Sequence, residues 1–184
     1  MRLKSLEEAT NGGRLGAAFL DTATGAVIGY RLDERFGMCS TFKLPLAAVV
    51  LHLADKGALS LTEILPYTKS DMVPHAPVTE PNLPKGGMSI RDLAEAAQKT
   101  SDNVAANLLL KRLGGPEAVT KIWRSWGDTV TRIDRYEPQM NVVKPNENRD
   151  CTSPYAMATL MEKFLTGDVL KPESRNLLIR WMID

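Results

Sequence analysis

Ser40 and Lys43 stand three residues apart in "CSTFKLPLAAVVLHL", where a polar start gives way to a long apolar run. On a helix, that spacing puts both side chains on one face, so the amine reaches the hydroxyl. A serine at a helix start lies near unpaired backbone N–H groups and the positive helix end, which favours negative charge building on its oxygen. A desolvated lysine beside it gives up its proton more easily and can then accept one from the hydroxyl. That is the chemistry of an activated serine nucleophile. The same two residues also fit a capping serine and a lysine whose stem covers apolar surface. Spacing does not choose between them, because roughly one accidental Ser-x-x-Lys is expected in a chain of this length.

Two other stretches carry candidate chemistry. Ser101-Asp102-Asn103 breaks a helical pattern, where these residue types also serve as ordinary turn punctuation. "RIDRYEPQMN" then places Glu137 early in a polar loop, with Asn141 four residues later. Arg135 and Asp150 bracket that loop with opposite charges. A solvated surface loop explains the composition, but so long an irregular connection in a compact domain points to function.

The elements that must position these residues are partly legible. "RLGAAFLDTATGAVIGYRL" reads as a hairpin, with strands over 15–20 and 26–32 and a turn ending at Gly25. A helix follows Lys43 and stops near Gly57, with Pro45 close enough to its start to cost little. Residues 66–88 are rich in Pro and Gly and read as an irregular connection. Ser89 and Asp92 resemble a capping box for a helix burying Ile90, Leu93, Ala94 and Ala97. A second helix runs through "AANLLLKRL". A third opens at Pro116 and buries Val119, Ile122, Trp123 and Trp126. Ser153-Pro154 starts the next, with Met157, Leu160, Met161 and Phe164 inward, and Pro172 begins the last. The pattern is one strand pair followed by about six helices and no further strand. A two-stranded sheet is marginal by itself and wants more strands or helical cover.

The totals narrow the function class. The chain has 184 residues, 23 basic against 22 acidic for a net charge of +1, and is 43% hydrophobic. That suits one domain, or one built in two lobes, with a proper core. The interspersed charges argue against nucleic-acid binding and against a basic membrane patch. No stretch is apolar enough to span a membrane, and "MRLKSLEEATNGG" lacks the apolar core of a secretory signal. Cys39, Cys151, His52 and His75 are too scattered for a metal site, and two free thiols are the simpler expectation.

Taken together and in this order, the three motifs resemble the class A serine β-lactamases. The likeness extends from about Leu15 to Trp181, through "CSTFK", "SDNVAANLLLKRLGGP" and "RDCTSPYAMATLM". It implies an α/β (α+β) fold of the β-lactamase/transpeptidase type: a helical domain plus an antiparallel sheet of which only the first two strands are present. Residues 1–35 would form the N-terminal segment and those strands. Residues 36–170 would form the helical lobe, and 171–184 the last helix leading back to the sheet. By the same resemblance, Ser40 is the acylated nucleophile and Lys43 helps remove its proton. Ser101 relays a proton to the leaving nitrogen, and Glu137 activates the deacylating water with Asn141 helping to hold it. Asn103 contacts the substrate's amide side chain, His75 borders the cleft mouth, and Arg135 and Asp150 clamp the loop. The implied activity is hydrolysis of penicillin- or cephalosporin-type antibiotics in the periplasm or outside the cell, without cofactor or metal.

Two departures qualify the likeness. Met140 replaces the usual leucine beside Asn141, a volume-conserving change. The family's Lys-Thr/Ser-Gly strand is not in this sequence, and losing the oxyanion donor it carries costs about 3 kcal/mol. The chain by itself is therefore expected to be incomplete or weakly active, with a complementing C-terminal fragment, or self-association through the open sheet edge, as partner. Alternatives are a penicillin-binding DD-peptidase-like protein and a non-catalytic fragment that associates through that edge.

Overall fold

The computed structural model describes residues 2–144 and 147–183. A short helix α1 (Arg2–Glu8) leads into the hairpin β1 (Ala17–Leu20) and β2 (Val27–Tyr30), antiparallel with Leu20 opposite Val27. Asp21 builds the turn, accepting from Ala23 N and Thr24 Oγ1, both at 2.9 Å, and Gly25 takes φ 73°.

One carboxylate holds α1 to this hairpin. Glu7 accepts from Arg31 Nε and Nη2 at 2.7 and 2.8 Å, from Tyr30 Oη at 2.9 Å and from Leu15 N at 2.9 Å. The Arg31 fork, foremost, lowers its pKa to about 2 from an ordinary 4.5. Between those values an unfolded chain binds a proton that the folded one does not. The contribution is thus intact above pH 4.5 and lost as pH falls toward 2. Acid titration followed by amide exchange is expected to release α1 in that window before the helical core opens. In Glu7→Gln the α1 amides exchange fast already at pH 7.

After β3 (Phe36–Gly37) comes a 3-10 turn over Cys39–Phe42 that runs into α2 (Lys43–Asp55). The backbone cap of α2 is Phe42, so Ser40 lies a turn earlier and is not a helix-capping serine. Helix α2 buries every residue from Pro45 to Leu51, as expected of a helix apolar all round. The chain continues through β4 (Ile64–Pro66), the single turn α3 (Thr79–Asn82), β5 (Gly87–Ser89), α4 (Ile90–Thr100) and α5 (Asn103–Arg112). Then come α6 (Pro116–Ser125), β6 (Cys151–Thr152), α7 (Pro154–Leu165) and α8 (Pro172–Ile183). Trp123, Leu160, Phe164 and Leu178 are fully buried in one core with α2.

The side-chain caps largely follow the sequence. Ser89 accepts from Asp92 N at 3.1 Å and Ser153 from Ala156 N at 3.2 Å. Asp102 caps α5, and Pro residues open α6, α7 and α8. Met157 and Met161, expected inward, are only half-buried. The expectation of no strand beyond the first pair is wrong. β3 pairs with β6 and β4 with β5, both antiparallel. Strands of two or three residues are too short to show an alternating pattern, and β4 and β5 contain Pro66 and Gly87.

Among the described residues, β1 pairs with β2 only, and α7 packs on β1. Phe19 and Ile28, opposite each other in the register, are 67% and 71% exposed. Among the described residues the outer edges of both β1 and β2 are therefore unpaired, and one face of the hairpin is apolar.

Candidate active site

The start of α2 brings Lys43 back toward the preceding 3-10 turn, and its Nζ lies 3.1 Å from Ser40 Oγ. The hydroxyl is exposed while the lysine is 2% exposed. Nζ also lies 2.8 Å from Ser101 O, 3.0 Å from Ser101 Oγ, 2.5 Å from Asn103 Oδ1 and 3.2 Å from Glu137 Oε1. An ammonium has three hydrogens and cannot serve five acceptors. As a neutral amine it would keep a lone pair, and the 3.1 Å contact could then run from the serine to the lysine. Burial pulls the Lys43 pKa below the ordinary lysine value, while the Glu137 and Asp102 charges pull it back up.

Ser101 and Asn103 arrive on the break between α4 and α5. Ser101 ends α4 in the left-handed region at φ 59°, and its Oγ donates to Ser40 Oγ at 2.8 Å. Asn103 donates Nδ2 to Pro74 O at 2.9 Å and its backbone N to His75 O at 2.9 Å. The peptide of residues 74–75 thus carries this asparagine. His75 is exposed at φ 66°, and its Nε2 lies 2.9 Å from Thr100 O. Its ring therefore braces the Ser101 turn from outside. Four of the six non-glycine residues at positive φ among those described are Cys39, His75, Ser101 and Asp150. Such conformations cost about 1–3 kcal/mol each and gather where a site must be held to shape.

The loop after α6 delivers the carboxylate. Glu137 is 2% exposed, and Asn141 Nδ2 donates to its Oε2 at 2.6 Å. Oε1 approaches Lys43 at ion-pair distance without hydrogen-bond alignment, and accepts no hydrogen bond among the described residues. At the loop neck Asp150 is fully buried and accepts from Arg135 Nε at 2.6 Å, Arg135 N at 3.0 Å and Asp134 N at 2.7 Å. Asp134 returns the bond, accepting from Asp150 N at 3.0 Å, and pairs with Arg132. Arg135 and Asp150 are thus joined, within a larger cross-brace than one ion pair. Met140 is fully buried beneath the loop. No group of three or more His, Cys, Asp or Glu side chains that could hold a metal occurs among the described residues.

A model of the beta-lactamase enzyme family matches residues 1–184, the whole chain. The chain belongs to that family. It is 48% identical to beta-lactamase L2 of Stenotrophomonas maltophilia over 98% of its length, and 47% identical to a beta-lactamase of Rhodobacter capsulatus over 93%. It spans 59% and 58% of those two relatives. A beta-lactamase structure from Xanthomonas campestris superposes with a TM-score of 0.96 at 49% identity, covering 100% of this chain and 68% of that one. A class A beta-lactamase representing the last common ancestor of Gram-negative bacteria gives 0.95 at 53% identity, over 99% and 69%. The fold is therefore that of the class A beta-lactamases over the matched span.

Asn107 has no counterpart in the sequence reading, and Asp102 figures there only as the middle of the Ser101-Asp102-Asn103 turn. Asn107, on α5, accepts from Glu137 N at 2.9 Å and donates to Glu137 O at 3.0 Å, clamping that peptide from both sides. Asp102 is fully buried and accepts from Val78 N, Thr79 N and Thr79 Oγ1, besides capping α5 through Ala105 N. The middle residue of Ser101-Asp102-Asn103 ties that turn to the 78–79 segment. Asn107→Ala would leave a buried N–H and C=O of Glu137 unpaired, at about 1–3 kcal/mol each. Urea denaturation is expected to show a midpoint lowered accordingly with unchanged slope. An unshifted midpoint would mean the Glu137 peptide is held by other groups.

Proposed function

We propose that Ser40, Lys43, Ser101 and Glu137 carry out hydrolysis of the β-lactam amide through a serine acyl-enzyme. The observation that carries this reading is the meeting of the Ser40 hydroxyl, the Lys43 amine and the Glu137 carboxylate around one buried nitrogen, at 3.1 and 3.2 Å. In the first half, Ser40 Oγ attacks the lactam carbonyl carbon and its proton passes to Lys43 Nζ. The C–N bond breaks, and the proton reaches the leaving nitrogen through Ser101 Oγ, which touches both Lys43 and Ser40. In the second half, a water gives its proton to Glu137 Oε1 and attacks the ester, and Ser40 leaves with its proton restored. Asn141 orients the carboxylate for that step. Asn103 offers its amide to the substrate's side chain, His75 borders the cleft, and Arg135 with Asp150 fixes the loop. Splitting one hard displacement into two easier ones is the gain from the covalent intermediate.

The relatives' greater length supplies a partner for the reading. A segment equivalent to their remaining two fifths, added in trans, docks on the open edge of β1 and the exposed Phe19–Ile28 face, and raises turnover. The activity serves antibiotic resistance and is exerted in the periplasm or outside the cell.

Mass spectrometry after exposure to benzylpenicillin tests the assignment. A penicilloyl group is expected on Ser40 only transiently, disappearing as the antibiotic is hydrolysed, and none at any time in Ser40→Ala. Equal labelling of that variant would overturn the nucleophile.

A further inference from the structure

Gly37 ends β3, just ahead of the turn that carries Ser40, and its φ is not among the positive ones. Nothing in its backbone conformation asks for glycine, and a glycine in a strand gives up side-chain packing. What the position lacks is room. A Cβ built on Gly37 would stand 2.5 Å from Val143 Cγ2, 3.2 Å from Val143 Cβ and 3.4 Å from Val143 Cγ1. Carbon atoms pack at about 3.5–4.0 Å, so a methyl group there demands a displacement of about 1 Å. The β-branched Val143 side chain is stiff at χ1 and does not fold away to make it.

Of the two elements that meet here, β3 is the fixed one. Phe36 and Gly37 pair with Thr152 and Cys151, and Met38 N donates to Asp150 O at 2.9 Å. Val143 lies in the loop that carries Glu137, is 37% exposed and belongs to no helix or strand. The loop is therefore the side that gives way. Val142 is tied through its carbonyl to Arg135 Nη2 at 3.0 Å, and its N donates to Gln139 O at 3.1 Å. A push on Val143 thus passes into the 3-10 turn over Gln139–Asn141. That turn packs on the one carrying Ser40, and from it Asn141 Nδ2 holds Glu137 Oε2 at 2.6 Å.

From this geometry we infer that Gly37 is a positioning residue for deacylation. Its bare α-carbon is the seat of Val143, and the seat sets where Asn141 and Glu137 stand relative to Ser40. Only the kinetic consequence rests on the proposed acyl-enzyme chemistry. Ser40, Lys43 and Ser101 contact one another without Val143, so acylation does not draw on the seat. The step that uses Glu137 does, and misplacing a reacting group by about 1 Å can cost about a hundredfold.

Gly37→Ala, Val143→Ala and the double variant test the seat. In the double variant the added methyl takes the space of the lost Cγ2, and only the 3.2 Å approach to the Cβ of residue 143 remains. The Asn141 side-chain amide peaks in a ¹⁵N–¹H spectrum, assigned with Asn141→Ser, are expected to move in each single variant. In the double variant they should return toward their original positions. After benzylpenicillin, quenched samples of Gly37→Ala should show the Ser40 adduct forming at a rate near that of the unaltered chain. Its decay should be about tenfold to a hundredfold slower, and the double variant should recover most of that loss. Should Gly37→Ala not fold, the amide peaks of Val143→Ala decide, since that variant empties the seat. Unmoved peaks, or a double variant as slow as Gly37→Ala, would overturn the inference. So would acylation and deacylation slowed alike, which is the mark of a general loss of structure. Should Ser40 never be acylated, the proposed function fails and the amide peaks decide the seat.

Discussion

Glu137→Gln is expected to turn a catalyst into a trap. In the proposed mechanism acylation draws on Ser40, Lys43 and Ser101, whose mutual contacts of 2.8–3.1 Å do not pass through the carboxylate. Deacylation needs a group that takes a proton from water. Glu137 Oε1 suits that task because it accepts no other hydrogen bond among the described residues, while Oε2 is held by Asn141 at 2.6 Å. The amide keeps the size, and its oxygen can still accept from Asn141, but it cannot accept the proton. Loss of a positioned general base slows a step by about 10²–10⁴-fold. In the variant, mass spectrometry should therefore find the penicilloyl adduct on Ser40 persisting for hours, after formation at a rate near that of the unaltered chain. An adduct that disappears as fast as before would remove Glu137 from the deacylation step. An adduct that never forms would place Glu137 in the acylation step instead, with Lys43 dependent on it.

How much of this was legible in the sequence differs by element. Helices marked by caps and a 3.6-residue pattern, such as α4 behind Ser89 and α7 behind Ser153, could be read because their signals are local. The short strands could not, because β3 and β6 are created by a pairing across more than a hundred residues and have no pattern of their own. The site was visible as residue types in family order. Its geometry depends on contacts that no spacing announces. Asn107 looks like any polar residue of a helix, yet it grips a peptide thirty residues away. Asp102 reads as turn punctuation, yet it is buried and gathers the 78–79 backbone. The loop clamp was foreseen as one ion pair. The reciprocal Asp134–Asp150 bonding was not, since it runs through backbone N–H groups that every residue carries.

Lys43 and Glu137 together pose a question of stability as well as chemistry. Their side chains are 2% and 0% exposed, so in the ion-paired resting state both charges are held out of water beside each other. Lys43 must then give up a proton before it can accept that of Ser40. Removing one partner of such a pair typically costs about 3–5 kcal/mol, because the other charge stays buried without compensation. Lys43→Met, which keeps the side chain's length, is expected to lose stability in that range and to abolish acylation. Glu137→Met should lose less, since Lys43 keeps Ser101 O and Asn103 Oδ1 as acceptors at 2.8 and 2.5 Å. The double variant Lys43→Met/Glu137→Met is expected to recover most of the Lys43→Met loss, since paired apolar groups replace a desolvated ion pair at little or no net cost. Urea denaturation of the four proteins forms a thermodynamic cycle, and the predicted coupling, the recovered part of the Lys43→Met loss plus the whole Glu137→Met loss, is about 3 kcal/mol or more. If the two losses simply add, the pair is not coupled in the folded chain, and the 3.2 Å approach does not carry the energy assigned to it. If they couple as expected, the site keeps a charge arrangement that an apolar pair would match in stability, and the proposed proton transfer at Ser40 supplies a reason for keeping it.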